Sequence, residues 1–301
     1  MPDFQLTTPV AFIIFNRPDT TELVFREIAK AKPTKLLVVG DGARANKEGE
    51  AAKVAACRAI IKRIDWDCEV LTNFSEINLG CKIRVSSGLD WVFEQVEEAI
   101  ILEDDCLPSQ SFFIYCEHML DRYRKNKRVF SVSGSNFSNE DYLYGHYFSR
   151  YSLMWGWATW ADRWAFYELE PKDKYRVILN TWWKNPFVFI HWTLIFKKLD
   201  KINTWDYQWI LTLWRKGALS CRPTQNLVKN IGFGEGATHT HVANDPLSLL
   251  TVDDTNAVFT FQVTDLMPNR ELEKQDELKW TRVKCIFCNV KFSAIKNMFA
   301  F

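Results

Sequence analysis

The sequence predicts an α/β protein with a mainly parallel central sheet flanked by helices, and three observations carry that prediction. The first third alternates short β-branched apolar runs with amphipathic helical patterns, the signature of βαβ units. Each apolar run ends in polar or Gly-rich residues, where ligands sit in such sheets. One of these ends is the acidic triplet Glu103-Asp104-Asp105.

Strands are expected at 10–15, 36–39, 68–72 and 99–102, each a compact apolar run bounded by turn chemistry. A helix is expected over 20–31, capped by Asp19 after Pro18, and a second over 47–64. A third opens near Lys82, after Asn78-Leu79-Gly80, and carries Val85, Leu89, Val92, Phe93 and Val96 on one face. A helix at 111–125 and a strand at 128–134 follow. Beyond Gly145 the pattern turns Trp- and Tyr-rich, which sets a soft boundary near residue 150. The spacing of Trp157, Trp160 and Trp164 fits one helix face.

At 301 residues and 47% hydrophobic content the chain is long enough for a substantial core. A formal charge of +1, from 38 basic and 37 acidic side chains, leaves no global field that would favour nucleic acid, so any anion site must be local. The 8 cysteines are scattered through apolar stretches, as buried thiols in a reducing compartment would be, and only Cys285 and Cys288 form a CxxC, with no second pair to complete a zinc site. The polar start, 1–9, runs into an apolar stretch too short for a signal-peptide core, and no run approaches the roughly 20 apolar residues that span a bilayer. These features predict a cytoplasmic protein.

Of the 13 tryptophans, most crowd between Trp155 and Trp214. Indole is ordinarily core or interface material, and such density also suits a surface that stacks on sugar rings. From about Glu271 onward, Lys279, Arg282, Lys284, Lys291 and Lys296 alternate with aromatic and aliphatic residues. That tail reads either as an amphipathic segment lying on an anionic membrane surface or as a helix packed on the body or on a second subunit.

The strand-end rule turns the sequence into site predictions. Asn16-Arg17 follows the first strand, Gly40-Asp41-Gly42 the second, residues 73–80 the third, and the acidic triplet the fourth. No GxGxxG and no GxxxxGK[ST] is present, so neither a dinucleotide fingerprint nor a P-loop is supported. Three consecutive carboxylates repel one another and call for a cation. Mg²⁺ or Mn²⁺ suits them, because such an ion takes one or two carboxylates and completes its shell with water and diphosphate oxygens. The alternative is a solvated acidic turn.

In order and spacing, four segments together resemble glycosyltransferases of the A-type fold (GT-A), in particular bacterial family 2-like enzymes and N-acetylglucosaminyltransferase I. They are PVAFIIFNRPD at 9–19, VGDG at 39–42, IILEDDCLPSQSFF at 100–113, and a Trp-rich region with 153–164 and Trp205-Asp206; the resemblance covers roughly 9–240. It implies a Rossmann-like nucleotide-diphospho-sugar transferase fold. Residues 1–150 would be the nucleotide-sugar-binding half, 151–265 the acceptor-binding and catalytic half, and 266–301 a basic C-terminal tail.

The resemblance also implies roles. Asp105 matches the direct metal ligand, and Glu103 and Asp104 the groups that hold ribose and donor sugar; Arg17 would contact diphosphate or uridine and Asp41 the nucleobase. Arg84, one turn into the third helix, would reach the nucleotide, or would be a plain helix-surface arginine. Asp206 matches the base that deprotonates the acceptor, or is an N-cap of the helix that follows. The Gly-rich loop 230–241 would close over the diphosphate, with His239, in preference to His241, as a further metal ligand. The Trp segment 154–160 would line the donor and acceptor pocket, with core packing as the alternative.

The function so implied is metal-dependent, inverting transfer of a sugar from a UDP-sugar, with UDP-N-acetylglucosamine the family's example, to a glycan or lipid-linked hydroxyl acceptor. Two rivals stand beside it. A sugar nucleotidyltransferase requires a Gly-rich basic loop just after the first strand, for which Asn16-Arg17-Pro18 is too short. A non-catalytic glycan-binding module would use the tryptophans alone.

Overall fold

The computed structural model describes residues 5–137, 145–233, 252 and 266–283. Strand β1 (Val10–Ile14) leads into α1 (Pro18–Ala31), β2 (Lys35–Gly40), α2 (Glu50–Ile61), β3 (Glu69–Phe74), α3 (Gly80–Gln95) and β4 (Glu98–Glu103). The four strands are parallel and lie in the order β3-β2-β1-β4. Their order reverses between β1 and β4, which makes the carboxyl ends of those two strands the topological switch point where α/β sheets hold ligands.

The chain continues through β5 (Cys106–Pro108), α4 (Gln110–Tyr123), β6 (Val129–Ser133), β7 (His146–Ser149), β8 (Trp157–Trp160) and α5 (Ala161–Trp164). After these come α6 (Lys174–Trp182), α7 (Pro186–Lys198), α8 (Asp206–Lys216), β9 (Leu219–Pro223), β10 (Val228–Asn230) and α9 (Arg270–Val283). The full sheet has the order β3-β2-β1-β4-β8-β6-β9-β7, with β8 antiparallel to both β4 and β6. Strands from both sides of residue 150 therefore share one sheet.

Strand alternation divides the core into two layers. Val10, Phe12, Ile14, Leu36, Val38, Ile100 and Leu102 face α1, α2 and α4, while Ala11, Ile13, Leu37, Val39, Ala99 and Ile101 face α3 and the helices of the second half. Burial on both faces is why the strands read as continuous apolar runs.

Two local expectations are corrected. Helix α1 starts at Pro18, not Thr20, with Arg17 in the cap position; Asp19 lies inside the first turn, and the Thr21 hydroxyl donates to the Arg17 carbonyl at 2.7 Å. Proline fits the first helical position because its missing N–H has no partner there anyway. Trp157 and Trp160 belong to β8, and only Trp164 lies on a helix, the short α5. Pairing of β8 between β4 and β6 overrides the helical spacing of those rings.

The tryptophans are mostly core. Trp157, Trp164, Trp205 and Trp209 pack ring on ring, with Trp157 stacked on Trp205 at 5.6 Å and Trp164 against Trp209 at 5.3 Å. Trp182, Trp192 and Trp214 form a second group around Tyr151. Trp155 is half-buried and Trp183 exposed. The described part of the tail, α9, is anchored to the body: Glu273, nearly fully buried, pairs with Arg150 at 2.6 Å, and the Tyr151 hydroxyl donates to Glu277 at 3.2 Å. Six cysteines among the described residues are free thiols, and Cys285 and Cys288 lie outside those residues. No described helix is long and apolar enough to cross a membrane.

Candidate active site

The site grows from the ends of β1 and β4, which pair with Ile13 opposite Glu103. Strand β4 ends at Glu103 and residues 104–105 form a turn, which sends the three consecutive carboxylates in different directions. Glu103 turns toward the second-half helices, where the Trp205 side chain hydrogen-bonds it. Asp104 turns to the α1 side and accepts the Phe15 N–H at 2.9 Å. Asp105 stands at the mouth and pairs with the Arg17 guanidinium at 3.1 Å. Arg17 and Asp105, each singled out in the sequence for a different role, are thus brought together by the switch point itself.

The electrostatics of this cluster are unbalanced. Burial, reinforced by Asp105 and Asp104, holds the Glu103 carboxyl well above its ordinary range, with Asp206 adding to the effect. Asp104 is pushed up to about 7 by burial and by Asp105, against the opposing pull of Phe15 N–H and Arg17. Asp105 is raised by burial, and the Arg17 charge opposes that shift. Three carboxylates and one direct cationic partner make a site in which added positive charge lowers the cost of ionisation.

A divalent cation at this strand end would have one carboxylate for a protein ligand. Asp105 is the carboxylate at the mouth, and Mg²⁺ or Mn²⁺ takes the rest of its shell from water and phosphate oxygens. Among the described residues no group of three or more His, Cys, Asp or Glu side chains is placed to hold a metal ion, and His239, like His241, lies outside them.

A short strap covers the mouth. Strand β10 pairs antiparallel with β5, Asn230 opposite Cys106, and the Ile231 N–H donates to the Asp105 carbonyl at 2.8 Å. Gly232 then passes so close that a Cβ there would overlap Asp105 Oδ2 and crowd Arg17. Only glycine allows that approach. Gly232→Ala is expected to push the Asp105–Arg17 pair apart and lower kcat/KM by roughly tenfold or more. Its melting temperature should fall only slightly, a contrast that steady-state kinetics and thermal unfolding would read together.

Asp206 approaches from the other side. The α3 N-terminus lacks a side-chain cap of its own, and Asn203 supplies one by accepting the Lys82 N–H at 2.9 Å. That contact brings 203–206 to the carboxylate cluster, so that the Cys81 thiol is driven up by burial and by Glu103, Asp206, Asp105 and Asp41 together. Asp206 is the first residue of α8, with Trp205 in the cap position, so it is not the N-cap. Its Oδ1 accepts the Thr204 hydroxyl and, at 3.0 Å, the Tyr207 N–H, while Oδ2 has no hydrogen-bond partner among the described residues. One oxygen is fixed and the other is available.

Asp41 and Arg84 have other engagements. The Asp41 carboxylate accepts from the backbone N–H groups of Gly42, Leu79 and Gly80 and from Asn78 Nδ2, all at 2.9–3.0 Å, which fills the capacity of a carboxylate. It holds the β2 end to the α3 entrance. Arg84 is neither on the helix surface nor at the mouth: it is buried and donates to the Gly40 carbonyl at 3.2 Å and to the Asn73 carbonyl and side chain at 2.6 and 2.7 Å. Its guanidinium ties together the ends of β2 and β3.

One network beside Arg17 had no sequence signal. Asn16 Nδ2 donates to Glu50 at 2.8 Å, and Arg44 binds the same carboxylate through its backbone N–H at 2.7 Å and its guanidinium. The partners lie 34 and 6 residues apart, and no motif links them. The Arg44 hydrogen bond chiefly holds the Glu50 carboxyl down, at about 2 against an ordinary 4.5. A depressed carboxyl contributes stability that is present above the unfolded value and lost as pH falls from about 4.5 toward 2. Glu50→Gln is therefore expected to cost about 1–3 kcal/mol at neutral pH, Arg44 being half exposed, and to flatten the loss of stability below pH 4.5 in urea titrations.

No protein-family model and no curated protein matches the sequence. Among solved structures, the chain is similar to a 4-diphosphocytidyl-2C-methyl-D-erythritol synthase from Anaerococcus prevotii DSM 20548, at 10% identity and a TM-score of 0.34, over 53% of this chain and 74% of that one. It is similar also to a UDP-glucose pyrophosphorylase complexed with UDP-glucose, at 9% identity and a TM-score of 0.37, over 72% of this chain and 89% of that one. Overlaps this loose carry no argument about chemistry.

Proposed function

We propose that the chain is a divalent-metal-dependent, inverting glycosyltransferase that moves a sugar from a UDP-sugar to a hydroxyl of a glycan or lipid-linked acceptor. UDP-N-acetylglucosamine is the donor to test first. Two observations support this reading: Asp105 pairs with Arg17, and Asp206, close enough to act on Glu103 and the Cys81 thiol, has an Oδ2 with no hydrogen-bond partner among the described residues. An electropositive partner for a diphosphate and a carboxylate poised to accept a proton are the two requirements of direct displacement at an anomeric carbon.

Asp105 would hold the ion, with Glu103 and Asp104 setting the field around it. A bound Mg²⁺ or Mn²⁺ would act as Lewis acid on the charge of the departing nucleoside diphosphate. Arg17 donates to the same diphosphate. Asp206 Oδ2 removes the proton from the acceptor hydroxyl as its oxygen forms the new glycosidic bond and the bond to the diphosphate breaks. Inversion follows from attack on the face opposite the leaving group. Gly232 leaves room for the Asp105–Arg17 pair, which a Cβ there would displace.

The nucleotidyltransferase alternative lacks its loop: three residues, Phe15-Asn16-Arg17, connect β1 to α1. The discriminating experiment incubates the protein with a panel of UDP-sugars and Mn²⁺, and separately with UTP and sugar 1-phosphates. Metal-dependent release of UDP supports the proposal, whereas pyrophosphate from UTP, or no turnover of any donor, contradicts it.

A further inference from the structure

The outer side of α6 and α7 carries features that the carboxylate site does not use. Tyr175, Leu179 and Trp183 follow one another at four-residue spacing, so they line one flank of α6 and its C-cap. They are 46%, 49% and 65% exposed, and Phe187, at the start of α7, is 75% exposed. Behind Phe187, Ile190 and Leu194 are half-buried, while Val188, Trp192 and Phe196 fill the core. Helix α7 is thus apolar nearly all round although it lies on the surface, a pattern that normally marks a helix covered on both sides.

The same segment holds a charge excess. Residues 172–201 contain seven Lys or Arg and two Asp, a local balance of +5 in a chain whose total is +1. Lys184, Lys197, Lys198 and Lys201 are exposed. Lys184 lies 5.1 Å from the Trp183 ring centroid, its ammonium beside the indole.

At the α6–α7 turn a cavity of about 410 Å³ opens beside these rings, lined by Trp183, Lys184, Asn185, Arg150, Arg270 and Lys274 among others. Glu273 neutralises Arg150, but Arg270 and Lys274 have no acidic partner among the described residues. The cavity adjoins Trp214, at the C-terminal end of α8, through the Arg150 carbonyl that takes the Trp214 indole N–H at 2.8 Å. Asp206 lies at the other end of that helix, about 12 Å from Trp214 along its axis.

We propose that the α6–α7 face docks on an anionic phospholipid bilayer. Trp183 and Phe187 enter at the level of the headgroups, and Lys184, Lys197, Lys198, Arg270 and Lys274 face the lipid phosphates. Two observations select a bilayer as the occupant. The rings form an open ridge rimmed by lysines, with apolar and charged groups divided as at an interface between hydrocarbon and water. The charge excess is diffuse, which complements a continuous anionic surface. Helix α7, 13 residues and about 20 Å long, lies on such a surface and does not cross it.

The test uses the full chain with sedimenting vesicles of phosphatidylcholine alone and of equal parts phosphatidylcholine and phosphatidylglycerol, at low and high salt. The wild type is expected to partition onto the anionic vesicles at low salt and not onto the neutral ones. Trp183→Ser with Phe187→Ser should weaken partitioning on the order of tenfold or more. Lys184→Glu with Lys197→Glu and Lys198→Glu should weaken it on the order of a hundredfold. All five side chains are exposed, and unchanged melting curves would show that the variants fold.

Truncation after residue 283 separates this face from the basic tail. The proposal is overturned by equal binding to both vesicles, by ridge variants that bind as wild type, or by binding that only the truncation removes. Lipid-free self-association that the ridge variants abolish, without vesicle binding, would make the face a protein interface and overturn it equally. None of these readouts depends on the sugar chemistry.

Discussion

Asp206→Asn is expected to lower kcat by roughly 10²–10⁴-fold, the range for loss of a positioned general base, while donor affinity changes by less than about twofold. The asparagine oxygen can still accept the Thr204 hydroxyl and the Tyr207 N–H, so the turn into α8 keeps its geometry. What disappears is the capacity to take a proton at the second oxygen. Calorimetric donor binding measured beside single-turnover rates separates the two effects. A variant with wild-type kcat would move the proton chemistry away from Asp206, with Glu103 the next carboxylate within its field.

Asp105→Ala is expected to remove metal-supported donor binding and to lower kcat/KM by roughly 10³-fold or more. Fold stability should change little, because two effects oppose each other. The Arg17 guanidinium loses its partner, which costs. Glu103 and Asp104 lose a like charge that now raises both of their carboxyl values, which gains. Thermal unfolding beside kinetics at matched Mn²⁺ reads this contrast. A large fall in melting temperature would recast Asp105 as a structural residue.

The parallel half of the fold was legible because its strands are buried on both faces. Continuous runs such as Val10–Ile14 and the core of Glu98–Glu103 stand out without any partner in view. The same logic located Arg17 and the acidic triplet, since a strand end is a local feature and the switch point brings two such ends together. Trp157 and Trp160 misled because ring spacing at three residues is ambiguous, and only pairing with β4 and β6 decides for strand.

The residues that organise the site were less visible. Arg84 reads in the sequence either as a residue reaching the nucleotide or as a helix-surface arginine, yet the carbonyls of Gly40 and Asn73 draw it inside. Asn203 caps a helix 121 residues away, a contact with no local trace. Gly232 fell within the Gly-rich loop, but its reason for being glycine is the side chain of Asp105, visible only when β10 pairs with β5.

On the proposed mechanism the carboxylate cluster takes a nucleoside diphosphate together with a divalent cation. Titration of UDP into the wild type and into Asp105→Ala, each with Mn²⁺ and with excess chelator, tests it most directly. Wild type is expected to bind at least about tenfold more tightly with Mn²⁺, and Asp105→Ala to bind equally weakly in both conditions. Equal wild-type affinity with and without the ion, or a metal effect that survives in Asp105→Ala, would contradict the account.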